Sequence, residues 1–132
     1  MIGLSSLMMA TVTSSGGVAT DDVTNLQWQD DASIATTKDW QEAITYCNTL
    51  NLGDKEDWRL PNKNELISIV DYAKSTDVFL DGFEQVSNGT FWSSTTSAVD
   101  AGTAWNVNFG AGYVDNGNKT YDYSVRCVRG GL

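Results

Sequence analysis

An α+β domain is the fold class this sequence predicts, and three stretches predict it. Trp40, Ala43, Ile44, Cys47 and Leu50 recur at helical spacing, one apolar stripe along a helix over about Lys38–Leu50. Trp105, Val107 and Phe109 alternate with Asn106, Asn108 and Gly110, the period of a half-buried strand. Val125, Cys127 and Arg129 alternate with Ser124, Arg126 and Val128, which reads as a last strand over about Tyr123–Val128. The order is strand, two helices, then several antiparallel strands, so helices pack against small antiparallel β-sheets.

The elements follow in chain order. Residues 1–17 read as an N-terminal arm or the remnant of a leader. Ile2–Ala10 is mildly apolar, but it is short for a membrane span and no Lys or Arg precedes it. The domain proper is placed at 18–132. A short strand falls near Leu26–Gln29, and Asp30–Thr36 is a loop. Thr36 or Thr37 is the expected N-cap of the first helix, and Gly53 closes that segment. Asn62 and Glu65 stand at capping-box spacing and open a second helix over about Lys63–Ala73, with Leu66, Ile69 and Val70 on its buried face. Pro61, the only proline, precedes that cap, where a missing N–H does no harm. Ser75–Thr90 is an irregular link anchored by Phe79, Leu80 and Phe83. Phe91-Trp92-Ser93 reads as a strand. Gly110-Ala111-Gly112 turns the chain back through Tyr113-Val114 as a hairpin.

Composition narrows the function. The 132 residues suit one core, and 41% hydrophobic against 19% charged residues is a globular balance. A net charge of −9 repels nucleic acid and anionic membrane surfaces, so neither nucleic-acid binding nor membrane insertion is expected. The chain has no His, which removes the commonest general base and metal ligand. Its two cysteines, Cys47 and Cys127, each fall on the apolar face of an element. Two reduced core thiols would fit. A disulfide is the expected state, contributing about 4–5 kcal/mol on the loop-entropy model and pointing to an oxidising compartment.

Between the strand at Trp105–Phe109 and the last strand lies a run of Asn, Gly, Asp, Tyr, Ser and Thr. Tyr gives contact area at low entropy cost, and Asn, Ser and Gly give adaptable hydrogen bonds, the make-up of a binding surface. The candidate ligand-binding residues are Thr103, Trp105, Asn106, Asn108, Gly110, Ala111, Tyr113, Asp115, Asn116, Asn118, Tyr121, Asp122 and Tyr123. Asn106 and Asn108 are expected on the solvent side. Trp28, Trp40, Trp58 and Trp92 lie in framework blocks and read as core, whereas Trp105 neighbours the proposed face. The turn Asp54, Glu56, Asp57 lacks the regular spacing of a calcium loop, and Asp57 is expected to cap or to pair with Arg59. No cofactor is expected, with Ca²⁺ at that turn as a weak alternative.

The blocks VTNLQWQDD, WQEAITYCNTL, DWRLPNKNELISIV, FWSST, AWNVNFGAGYV and SVRCVR, in that order, resemble the bacterial DUF1566 family over about residues 18–129. That resemblance implies a C-type lectin-like fold, with two helices flanking small antiparallel β-sheets and a disulfide from the first helix to the last strand, Cys47–Cys127. It also implies kinship with formylglycine-generating enzymes, which act through paired cysteines. With both cysteines in the framework and no His, no enzyme is expected. Calcium-dependent lectins use Glu-Pro-Asn or Gln-Pro-Asp with Trp-Asn-Asp. Here Pro61 precedes a helix, and Trp105-Asn106-Val107 lacks the Asp.

Thr103–Ser124 further resembles the variable region of proteins diversified by retroelements, in which a reverse transcriptase errs at template adenines. Replacing adenines in an AAC codon never yields Lys, Trp, Glu, Gln or Met, and only Trp105 and Lys119 in this stretch belong to that set. The resemblance implies a variable binding surface directed at a protein or cell-surface epitope, on the cell exterior or a phage particle. A fixed adhesion module for glycans is the alternative. A structural piece of a surface or phage-tail assembly is a third.

Overall fold

The structure, a computed structural model, describes residues 10–131; the stretch 1–9, where most of the expected arm falls, lies outside them. It is a mixed α+β fold, mostly sheet, with two short helices. One sheet has the order β1 (Val12–Ser15), β2 (Val18–Asp21), β3 (Gln27–Gln29), β9 (Val128–Arg129), all antiparallel. The other has the order β4 (Thr37–Lys38), β8 (Tyr123–Ser124), β5 (Thr90–Thr96), β6 (Thr103–Asn108), β7 (Tyr113–Asn118). Its β5–β8 pair is parallel and the rest are antiparallel.

Strand β1 comes from the segment read as an arm. It pairs with β2 through a two-residue turn, Gly16-Gly17, where both residues have positive φ (63° and 81°), the conformation that lets a tight hairpin keep its twist. Val12 of β1 is buried in the core.

Helix α1 covers Trp40–Asn48, and its N-cap is Asp39 rather than Thr36 or Thr37. The reason is tertiary: Thr37–Lys38 is committed to pairing with β8. Asp39 and Glu42 close a capping box, with Glu42 N donating to Asp39 Oδ1 at 2.9 Å and Asp39 N donating to Glu42 Oε1 at 3.1 Å. The helix stops at Thr49, and Gly53 instead shapes the turn Leu52–Lys55. Helix α2 has the expected Asn62–Glu65 capping box but covers only Lys63–Ile67. Ile69 and Val70 leave the helix to pair with the 78–80 segment: Asp71 N donates to Val78 O at 2.6 Å and Leu80 N to Ile69 O at 3.0 Å. Both residues are buried as expected, and this pairing wins over continued helix.

Strands β5 and β6 partition two apolar clusters. Phe91 and Val107 face one, in which Phe79 stacks on Phe109 at 3.8 Å and Phe91 stands edge-on to both, at 5.5 and 5.4 Å. Trp92 and Ala104 face the other, with Ala43, Trp58, Leu60 and the Cys47–Cys127 disulfide. The bridged Cα atoms lie 5.5 Å apart, and both cysteines are fully buried.

The expected last strand is broken. Ser124 pairs in one sheet and Val128 in the other, and everything from Ser124 to Val128 is buried, so the simple alternation fails. Arg126, which alternates with Val125 and Cys127 in the sequence, is fully buried like them. Its Nη1 donates to Gln29 O at 2.7 Å and to Asp30 Oδ1 at 3.1 Å, and its Nη2 donates to Gln85 O. The guanidinium lies 4.6 Å from the ring centres of both Phe79 and Phe83. Burial pulls its pKa down to about 10 against the opposing Asp30 carboxylate, so it stays charged at neutral pH.

Candidate binding surface

Strands β6 and β7 pair in one unbroken register, from Asn108 opposite Tyr113 to Thr103 opposite Asn118. Opposed residues share a face. The hairpin therefore divides the sequence-predicted residues between two faces. One carries Asn108/Tyr113, Asn106/Asp115 and Ala104/Gly117, and the other carries Val107/Val114, Trp105/Asn116 and Thr103/Asn118.

On the first face the loop after β7 returns to the hairpin. The Tyr123 ring packs on Trp92 at 4.6 Å, and Tyr121 stands edge-on to it at 6.1 Å. A Cβ at Gly117 would lie 2.8 Å from Tyr123 Cε2, so glycine there makes room for the ring. Burial first, then the neighbouring Tyr121 and Asp115, push the Tyr123 hydroxyl pKa up. Tyr113 and Tyr121 are 57% and 55% exposed, with Asp115 and Asp122 also exposed.

Asn106 is a correction. Expected at solvent, it is 3% exposed. It lies opposite Trp92 in the ladder, and its Nδ2 is 3.1 Å from where a Gly117 Cβ would stand, so the packed Tyr123 ring closes over this part of the sheet. Asn108 is half-buried and shapes the turn: its Oδ1 accepts from Gly110 N at 2.7 Å and Ala111 N at 3.2 Å, and its Nδ2 donates to the Tyr113 hydroxyl at 3.3 Å. Gly110 is half-buried and Ala111 is exposed at the tip.

On the second face Trp105 is half-buried, neither core nor free. Lys63 Nζ, from the first turn of α2, sits 4.2 Å from its ring centre. Asn116 and Asn118 are exposed beside it, and Thr103 is half-buried. Asn118 Oδ1 accepts from Thr120 N and Thr120 Oγ1, at 3.0 and 2.8 Å. The end of the hairpin is docked onto α1: Trp40 N donates to Lys119 O at 3.1 Å, and Lys119 Nζ lies 3.9 Å from the Trp40 ring centre. Trp28, Trp58 and Trp92 are buried, whereas Trp40 is half-buried.

Away from the hairpin, a concavity of about 500 Å³ opens beside α1. Thr37, Lys38, Gln41, Glu42, Thr45 and Tyr46 line it. The expected Asp57–Arg59 pair does not form. Asp57 takes Arg129, whose Nε and Nη2 donate at 2.6 and 3.0 Å, and Arg59 takes Glu65. The Arg129 hydrogen bond holds the Asp57 carboxyl below its ordinary pKa. Among the described residues, no group of three or more Cys, Asp or Glu side chains converges as a metal site would require.

The family model of the Lcl C-terminal domain matches residues 17–129. The chain belongs to that family. No curated protein matches it. Membership agrees with the DUF1566-type blocks of the sequence, and the match covers both helices, the disulfide and every strand of this Lcl C-terminal domain except β1, which lies before it.

Two features of the surface were not read from the sequence. Tyr72, 67% exposed, approaches the hairpin tip, its Cδ1 3.8 Å from where a Gly112 Cβ would stand. The expected helix through Ala73 concealed it. The Lys63 and Lys119 contacts join residues far apart in sequence, which periodicity does not register.

Proposed function

We propose that this Lcl C-terminal domain is a non-catalytic ligand-binding module whose working surface is the β6–β7 hairpin with its following loop. Tyr113 and Asp115 on the hairpin and Tyr121 on its following loop are exposed over an inner strand packed on both faces, and that observation carries the reading. Aromatic anchors with a carboxylate and amides around them suit a protein or surface epitope. A non-catalytic role is supported by the joining of both cysteines in a buried disulfide. That disulfide, with no helix among the described residues long and apolar enough to cross a membrane, is compatible with display outside the cell or on a phage particle.

We further propose that the segment is retroelement-diversified on a C-type lectin-like scaffold, with variation at Tyr113, Asp115, Asn116, Asn118, Tyr121 and Asp122, all exposed. The test is to sequence the 3′ end of the gene and its flank across many cells of the source population. Changes confined to these codons, with Ala104, Asn106, Val107, Phe109 and Gly117 constant, would support the reading. An invariant segment without an adjacent template repeat would remove the diversification.

The groove beside α1 favours a second reading, a fixed adhesion module for glycans. It combines the Tyr46 ring with the hydroxyls, amide and charges of Thr37, Thr45, Gln41, Lys38 and Glu42. Glycan-array binding lost in Tyr46→Ala and unaffected in Tyr113→Ser would favour it over the hairpin.

A further inference from the structure

β7 is the outer strand of its sheet, and its backbone carries the inference. Lys119 N donates to Gly102 O at 2.9 Å, and this pair continues the register set by Thr103 opposite Asn118. In an antiparallel ladder bonded and non-bonded pairs alternate. Tyr113, Asp115 and Gly117 therefore turn their N–H and C=O toward β6, while Val114, Asn116 and Asn118 turn theirs outward. Two contacts agree independently: Asn116 N donates to Asp115 Oδ1 at 2.7 Å, and Asn118 O accepts from Tyr121 N at 2.9 Å, so neither group is bonded to β6.

Natural edge strands are shielded by Pro, Lys, a bulge or a covering segment. Tyr113-Val114-Asp115-Asn116-Gly117-Asn118 has no Pro, no Lys and no break in register. Two of its outward groups are masked: the exposed Asp115 carboxylate takes the Asn116 N–H, and Tyr121 N donates to the Asn118 carbonyl at the far end. We propose that β7 accepts an added strand, an extended basic peptide segment of a protein partner. An incoming carbonyl takes the Asn116 N–H, and the released Asp115 carboxylate pairs with a Lys or Arg of the new strand, on the face carrying Tyr113. The net charge of −9 steers such a segment in. The same charge opposes a second copy, which would set one Asp115-bearing edge against another.

This rests on the hairpin being the binding surface and adds the partner class and the main-chain mode of recognition. The test uses the ¹⁵N-labelled chain and an end-capped peptide of four Thr-Lys repeats as probe. Two control peptides accompany it: four Thr-Glu repeats, and the Thr-Lys peptide N-methylated on one edge, with charge unchanged. The expected result is downfield shift and exchange protection of the Val114, Asn116 and Asn118 amides by the Thr-Lys peptide alone. N-methylation should weaken binding about tenfold or more, the effect of losing two or more net hydrogen bonds. Asn116→Pro, tolerated on an edge strand where the N–H faces solvent, should weaken it as much. Asn116→Ala, which keeps the backbone N–H, should weaken it less than Asn116→Pro does.

Equal binding by the N-methylated peptide, with shifts still on the hairpin, would overturn strand addition and leave the hairpin as a side-chain surface. Shifts confined to the Lys38–Tyr46 groove would overturn both. Absence of binding at millimolar Thr-Lys peptide would overturn strand addition.

Discussion

Replacing Arg126 with Met removes the cation of an ion pair, Arg126–Asp30, that is buried on both sides. The methionine keeps much of the packing against Phe79 and Phe83 but removes the cation and its bonds to Gln29 O, Asp30 and Gln85 O. Asp30 is then left as a buried carboxylate. Its remaining donors are Ser14 Oγ at 2.5 Å and the Glu84 and Gln85 amides, both at 2.9 Å. Removing one partner of a buried pair costs about 3–5 kcal/mol. Burial itself disfavours the cation, so part of that cost is offset when it is removed. Urea unfolding with the disulfide intact should show a lower midpoint at unchanged slope. Adding Asp30→Asn should cost less than the sum of the two single changes, because the uncompensated charge is then absent. A loss under about 1 kcal/mol for Arg126→Met would refute the assignment of this pair as the clamp between β3 and the 83–85 segment.

Non-reducing mass spectrometry should show Cys47 linked to Cys127, and the double Cys→Ser variant should lose about 4–5 kcal/mol on the loop-entropy model. Two free thiols would contradict the structure. Burial raises the pKa of Glu65, but the Arg59 hydrogen bonds, the Asn62 amide and the Arg59 charge together hold it below its ordinary value. Its contribution is therefore present above the unfolded pKa, about 4.3, and is lost as pH falls through the lower folded value. Glu65→Gln, which keeps the capping box, should flatten that acid limb in a pH series of unfolding curves. Tyr113→Ser, Asp115→Ala and Tyr121→Ser should each change stability by under about 0.5 kcal/mol, whereas Asn106→Tyr should cost about 1–3 kcal/mol or more by overpacking beneath Gly117. Thermal melts compare the two groups, and equal tolerance at Asn106 would place it at the surface after all.

What the sequence disclosed was whatever short-range periodicity or capping chemistry controls. The α1 stripe, the Asn62–Glu65 box and the β6–β7 hairpin were all legible. What it concealed depends on a second layer. Asn106 obeys the alternation that should put it in water, but alternation assigns a side chain to a face without saying what covers that face, and Tyr123 covers it. Arg126 sits between two buried positions in a segment that changes sheets, so a period of two does not reveal its burial. α2 ends early because Ile69 and Val70 gain pairing with the 78–80 segment, a contact that helix propensity does not contain.

The same second layer decides which positions of the hairpin can change without unfolding it. β6 is held on one face by Phe91, Val107 and Phe109 and on the other by Trp92 and Ala104, and Lys119 docks the far end of the hairpin on Trp40. Substitution in β6 therefore disturbs a core. β7 is attached chiefly through its backbone ladder to β6, with Val114 and Gly117 its more deeply placed positions. A ladder needs no particular side chain at Tyr113 or Asn116, and Asp115 and Asn118 make only local hydrogen bonds, to Asn116 N and to Thr120. If selection acts on binding here, it acts on β7 and the loop to Asp122 and leaves β6 alone, an asymmetry that no reading of the two strands as equivalent would produce.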